Sequence, residues 1–205
     1  MALPTAWFAG LRVLGVDDHA AAAELLATSA PGSARARGRA PGATPDCGDD
    51  DDPTPAETAG PFFTPNSPER TSLLEPGMHG TRVALAGHVV TRGCQPVAGA
   101  LLDFWHADDD GQYDNEGYRL RGHQFTDARG RYRLETIVPG LYPGRTRHIH
   151  VKVQPRGGRV LTTQLYFPGE ARNKQDFLFR PDLLMSLREA QGARDARFNF
   201  VLRDA

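Results

Sequence analysis

Cysteine is almost missing from this chain: Cys47 and Cys94 are the only two in 205 residues. They stand too far apart in sequence to form a zinc knuckle. One disulfide would account for both, but Cys47 falls in a stretch of small and acidic residues, so two unrelated thiols are the expectation. Apolar runs are short too, and none approaches the ~20 residues that a spanning helix needs. Nor does one sign of charge dominate. Lys and Arg number 24 against 25 Asp and Glu, a formal net charge of -1, which gives no basic field for nucleic acid or an anionic membrane. An intact export signal is not visible, because Arg12, Asp17 and Asp18 interrupt the first apolar stretch. The cytoplasm is therefore the default expectation, and a secreted protein the alternative if the start is mis-assigned or the leader degraded.

Composition divides what is there. Residues 1–54 are rich in Ala, Gly, Pro and Asp, with Arg35, Arg37 and Arg39 close together and an acidic run from Asp49 to Asp52. Residues 30–55 hold too little apolar area to offset the entropy of ordering, so this part reads as a flexible tail. From residue 55 to 205 the pattern becomes short segments rich in β-branched and aromatic residues. Strands are expected at 81–91, 100–106, 130–136, 148–153 and 159–166, separated by Gly, Pro and Asp turns. That spacing predicts an all-β domain, an antiparallel sandwich with long loops and at most one or two short helices. Helical periodicity shows only at 182–191, where Leu183, Leu184 and Leu187 share a face.

In the run His148-Ile149-His150-Val151-Lys152-Val153, alternation puts both imidazoles on one strand face and the aliphatic residues on the other. Arg145 and Arg147 flank the pair, a poor setting for burying imidazoles for packing alone. Tyr142 lies in a Pro- and Gly-stiffened loop just upstream, and Tyr113 in the turn after the Trp105 strand. Two phenols with two imidazoles make a nitrogen and oxygen donor set without thiolate. Phenol ionises near neutral pH only on a strong Lewis acid, so this set points to non-haem Fe(III) rather than Zn(II) or Mg(II). The remaining histidines carry less. His19, His79 and His88 read as surface or core residues; for His106, at a strand end, and His123, placed before a turn, support of a ligand is the lesser of two readings. Tyr118, Tyr132 and Tyr166 read as packing residues.

The stretch from Thr58 to about Val201 resembles the intradiol ring-cleavage dioxygenases. The matching segments are Thr58-Ala59-Gly60-Pro61-Phe62-Phe63, Gly87-His88-Val89-Val90, and Pro96-Val97-Ala98-Gly99-Ala100 running into Asp103-Phe104-Trp105-His106-Ala107-Asp108. They continue with Gly111-Gln112-Tyr113, Thr126-Asp127, Gly130-Arg131-Tyr132, Thr136-Ile137-Val138-Pro139-Gly140, the histidine strand, and Thr162-Thr163-Gln164-Leu165-Tyr166-Phe167. The resemblance implies Tyr113, Tyr142, His148 and His150 as iron ligands. It also implies Arg145 as an active-site arginine, Gln164 as a polar residue lining the site, and Tyr142 as a ligand that accepts a substrate proton. The implied reaction cleaves a catechol with O2 between its hydroxyl-bearing carbons to a cis,cis-muconate. No nucleic acid or membrane partner is implied, and a homo-oligomer is compatible. Two departures bear on the substrate. The stretch from Tyr142 to His148 is much shorter than in the familiar catechol and protocatechuate enzymes, and residues 1–54 do not resemble the helical N-terminal domain of catechol 1,2-dioxygenases.

Two other readings compete. A cupin-type oxygenase also uses an HxH strand but expects a carboxylate four to five residues later, where this chain has Gln154 and Pro155. A metal-free or differently metallated β-sandwich that binds a small molecule is the alternative from another class.

Overall fold

Alternation from Arg82 to Val89 builds the first strand. In β1 (Arg82–Thr91), Val83, Leu85 and Val89 are buried while Arg82 and Ala84 face outward. The computed structural model describes residues 52–190 and 193–203, and β1 is the hub of one of its two sheets. In that sheet the order is β4 (Arg131–Ile137), β1, β8 (Ala193–Arg197), β7 (Ser186–Ala190), with β9 (Phe200–Leu202) pairing farther along β1. The second sheet runs β3 (Arg121–Phe125), β2 (Leu101–Trp105), β5 (His148–Gln154), β6 (Leu161–Tyr166), antiparallel throughout. β1 pairs in parallel with both β8 and β9. Leu85, Val89, Leu134 and Phe200 from one sheet join Leu102, Phe104, Ile149, Val151 and Leu165 from the other in a single buried cluster. Each such side chain contributes about 1.5–3 kcal/mol relative to exposure. The expected all-β sandwich is present, and the described residues contain no α-helix, only two 3-10 turns.

The strands expected from alternation all form, within two residues of their expected ends. The helix expected at 182–191 does not. Pro181–Leu183 is a single 3-10 turn and Ser186–Ala190 is strand β7. The reason is Met185, which with Leu183 and Leu187 makes a period-two apolar row; Met185 is buried and Leu187 packs on the core. Pairing of β7 with β8 then satisfies the backbone. β3 was not expected, because its buried residues include Arg121 and Gly122, and His123 stands inside it rather than before a turn. The reading of two unrelated thiols is corrected: Cys94 is disulfide-bonded. Cys47 and the expected tail up to Asp51 lie outside the described residues, as does His19. Where description begins, the chain is tied to the sandwich, with the Thr54 amide donating to Val201 O (2.9 Å) and the Glu57 amide to Thr162 O (2.8 Å). No helix among the described residues is long and apolar enough to cross a membrane.

Candidate active site

β5 is buried on both faces. Ile149, Val151 and Val153 enter the core, while His148 and His150, 4% and 3% exposed, lie on the opposite side under loops. The register sets their neighbours: Trp105 and Gln164 flank His150, and Tyr166 flanks His148. His148 Nδ1–H donates to the Thr146 carbonyl (2.7 Å), which leaves Nε2 as a bare lone pair. That nitrogen lies 3.1 Å from His150 Nε2 and 3.3 Å from the Tyr113 hydroxyl. Trp105 stacks on the His150 ring at 4.9 Å and 3°, fixing its plane.

Burial drives both imidazoles towards the neutral form, with the Arg145 charge acting the same way. His148 is pushed down to about 4, and His150 falls well below the ordinary value. The Tyr113 hydroxyl is pushed up by burial, so the metal-free phenol stays protonated. Neutral imidazoles are the form that ligates. The 3.1 and 3.3 Å spacings are those of neighbouring ligand atoms around one ion with bonds of ~2.0–2.2 Å. Among the described residues no three His, Cys, Asp or Glu side chains cluster as a metal site, so an ion held here needs the phenols.

Tyr142 joins through its ring, which stands at 78° to that of Tyr113 with centroids 5.8 Å apart. Phe62 bridges the two, stacked on Tyr113 at 4.4 Å and edge-on to Tyr142 at 5.4 Å. The tyrosine loops touch backbone to backbone: the Gly140 amide donates to Asp108 O at 2.6 Å. Gly111 has φ of +83°, and a Cβ there would lie 2.5 Å from Leu141 O. Gly111→Ala therefore strains one loop and pushes the other away. A loss of about 1–3 kcal/mol is expected in urea unfolding of the metal-free protein; an unchanged midpoint would refute the close approach.

Arg145 arrives by a different route. Its Nε–H meets both oxygens of Asp176 (2.9 and 3.1 Å), and Nη2 donates to Gln164 Oε1 (2.6 Å). Gln164 Nε2 in turn donates to Thr58 O (2.9 Å). The Tyr166 hydroxyl lies 3.1 Å from Gln164 Oε1 and 2.9 Å from Leu178 O, so Tyr166 belongs to this polar network as well as to the packing. Asp176 also accepts the Thr146 amide (2.8 Å), directly before the histidine strand. Neither Asp176 nor the bridging Phe62 was singled out from the sequence, since neither carries a spacing that marks a ligand.

For His106 and His123 the lesser reading, support of a ligand, is not met by any described hydrogen bond. His123 Nδ1–H donates to Ser67 O (2.7 Å). His106 Nδ1–H donates to Ala107 O (2.7 Å), and its Nε2 accepts from Thr136 Oγ1 (2.6 Å). Complete burial pushes His106 down to about 4 from 6.5. An unfolded chain takes up this proton below 6.5, whereas the fold does so only near 4. Stability is thus complete above 6.5 and drains away as pH falls towards 4, by about 3 kcal/mol for this group. Urea midpoints between pH 7 and pH 4.5 should fall steeply in the native chain and less in His106→Gln.

A family model described as Dioxygenase matches residues 58–204. Chlorocatechol 1,2-dioxygenase of Pseudomonas sp. (strain P51) is 30% identical over 174 residues, covering 71% of this chain and 69% of that protein. The protocatechuate 3,4-dioxygenase beta chain of Burkholderia cepacia is 34% identical over 119 residues, covering 49% and 51%. This chain spans 60% of a catechol 1,2-dioxygenase from Acinetobacter lwoffii, so it aligns with only part of several curated relatives. Among solved structures, the dioxygenase domain of a dioxygenase carbohydrate-binding protein fusion from Streptomyces sp. SirexAA-E is 57% identical with TM-score 0.74, covering 75% of this chain and 100% of that one. The 3-chlorocatechol 1,2-dioxygenase of Rhodococcus opacus 1CP is 31% identical with TM-score 0.69, covering 75% and 73%.

Proposed function

The chain belongs to the intradiol dioxygenase family, and from that premise we propose that it is a non-haem Fe(III) enzyme that cleaves catechol-type rings with O2 between the two hydroxyl-bearing carbons, giving cis,cis-muconates. The observation that carries this reading is the convergence of Tyr113 Oη, His148 Nε2 and His150 Nε2 within 3.1–3.3 Å contacts, with the Tyr142 ring beside them. Tyr113, Tyr142, His148 and His150 would hold the ion. The chemistry supplied by a bound ferric ion is to withdraw electron density from a chelated catechol, so that a ring carbon becomes open to O2.

The protein's own groups supply the rest. Tyr142 Oη takes a proton from the entering catechol. Arg145, anchored through Nε and Nη2, keeps Nη1 to stabilise negative charge as it develops on the substrate. Gln164 holds that guanidinium against the sheet. Phe62 walls the tyrosine side with an apolar surface suited to an aromatic ring.

The test combines metal analysis, the visible spectrum and oxygen uptake with catechol, hydroxyquinol, protocatechuate and a caffeoyl-type catechol. The expected result is stoichiometric iron, a red-brown tyrosinate charge-transfer band, and muconate absorbance with at least one substrate. A colourless protein with full iron occupancy would remove the tyrosines from the ligand set. A purified protein with no affinity for Fe(III) would favour a metal-free binding domain.

A further inference from the structure

Arg121 is buried without a carboxylate in ion-pair contact among the described residues: it is 2% exposed, and no described salt bridge includes it. It stands on β3 directly across from Trp105, which is stacked on His150. The three described hydrogen bonds of its side chain all go to backbone carbonyls. Nη1 donates to Phe62 O (2.6 Å), while Nη2 (2.6 Å) and Nε (3.0 Å) both donate to Asp114 O. Those carbonyls belong to two separate segments that lack regular structure. One carries Phe62, whose ring lies on Tyr113, and the other follows Tyr113 itself.

Burying a guanidinium with only carbonyl acceptors costs desolvation energy that neutral partners offset incompletely. A neutral amide could cross-link two loops at lower cost. What a guanidinium adds is a planar fork, several fixed donors that fix direction as well as distance. Here one branch sets the backbone immediately after Tyr113, and the other sets the backbone of the residue stacked on its ring at 4.4 Å. Phe62 also meets the edge of Tyr142, so the fork reaches both tyrosines from a single strand position.

We propose that Arg121 is a positioning residue: by clamping the Phe62 and Asp114 carbonyls to β3, it holds the Phe62 ring on Tyr113 and so fixes where the Tyr113 hydroxyl stands relative to His148. Its consequence for turnover rests on the ferric reading above, but the clamp itself is testable without metal.

The 205-residue chain, stripped of metal with a chelator and labelled with 3-fluorotyrosine, has five tyrosines, and Tyr113→Phe assigns the resonance of interest. Phe62→Leu measures the ring-current shift that the stacked ring imposes. Arg121→Gln and Arg121→Lys are then compared at a temperature where circular dichroism shows each to be folded. The expected result is that Arg121→Gln moves the Tyr113 resonance by at least half of the Phe62→Leu shift, and that Arg121→Lys restores part of it. An unmoved resonance in folded Arg121→Gln overturns the proposal, leaving Arg121 as a loop fastener only. If Arg121→Gln does not fold, Arg121→Lys decides: native resonance position with a single ammonium nitrogen in place of the planar fork also overturns it. In the iron-loaded enzyme, Arg121→Gln should shift the tyrosinate band and lower kcat about 10- to 100-fold with KM within about two-fold. A wild type without any tyrosinate band, but with the resonance still responding to Arg121, would sink the ferric reading and leave the clamp standing.

Discussion

On the ferric reading, His148→Ala is expected to abolish iron binding and, with it, ring cleavage. Loss of a residue that merely supports a ligand weakens metal binding about 10- to 100-fold, so loss of a ligand should exceed that range. The geometry makes replacement of this nitrogen by another group difficult. Nε2 of His148 lies within 3.1–3.3 Å of both His150 Nε2 and the Tyr113 hydroxyl. Its orientation comes from the Thr146 carbonyl on the other side of the ring. Alanine leaves a hole on a rigid strand, with no neighbouring side chain on the same face able to move one residue along. Iron content after dialysis, read beside the melting temperature of the metal-free protein, checks this. Full iron retention with a normal melt would mean that the ion, if bound, sits elsewhere.

Asp176→Ala should be the most destabilising single change outside the aliphatic core. The Asp176 side chain is 1% exposed and its Arg145 partner 12%. Truncation leaves a guanidinium partly buried without its counter-charge, which costs about 3–5 kcal/mol. It also strips an acceptor from the Thr146 and Leu178 amides. For a chain of this size the melting temperature should fall by roughly 6–20 °C. Activity should fall as well, because Arg145 would keep only its Nη2 contacts to Gln164 and the Tyr166 hydroxyl to orient it. The double variant Asp176→Ala/Arg145→Met separates the two effects. Stability should recover in part, since no unpaired charge remains, while activity should not. Recovery of both would mean that Arg145 has no role in turnover.

The histidine strand and its face were legible because a strand's two-residue period is local: alternation from His148 to Val153 states both faces at once. The four proposed ligands were suggested by the order of motifs around Tyr113 and Tyr142; in the structure Tyr113, His148 and His150 share close contacts and the Tyr142 ring stands beside that of Tyr113. What stayed hidden depends on partners distant along the chain. Asp176 meets Arg145 across 31 positions, and nothing beside Asp176 announces it. β3 was hidden by Arg121 and Gly122, buried residues that look like a polar loop when read in order. The leucines of 182–191 fit either period, and only packing of Met185 on the core decides for a strand.

The position of His148 and His150 on a strand whose other face is core has a consequence for how the protein can fail. A one-residue slip of β5 against β2 and β6 would turn both imidazoles into the aliphatic interior and bring Ile149 and Val151 out under the tyrosines. Within β5, the face of the two imidazoles and the face of the aliphatic residues therefore change together. On the ferric reading, visible colour in the loaded protein would act as an optical assay of β5 pairing, bleached by a slipped form that still looks all-β by circular dichroism.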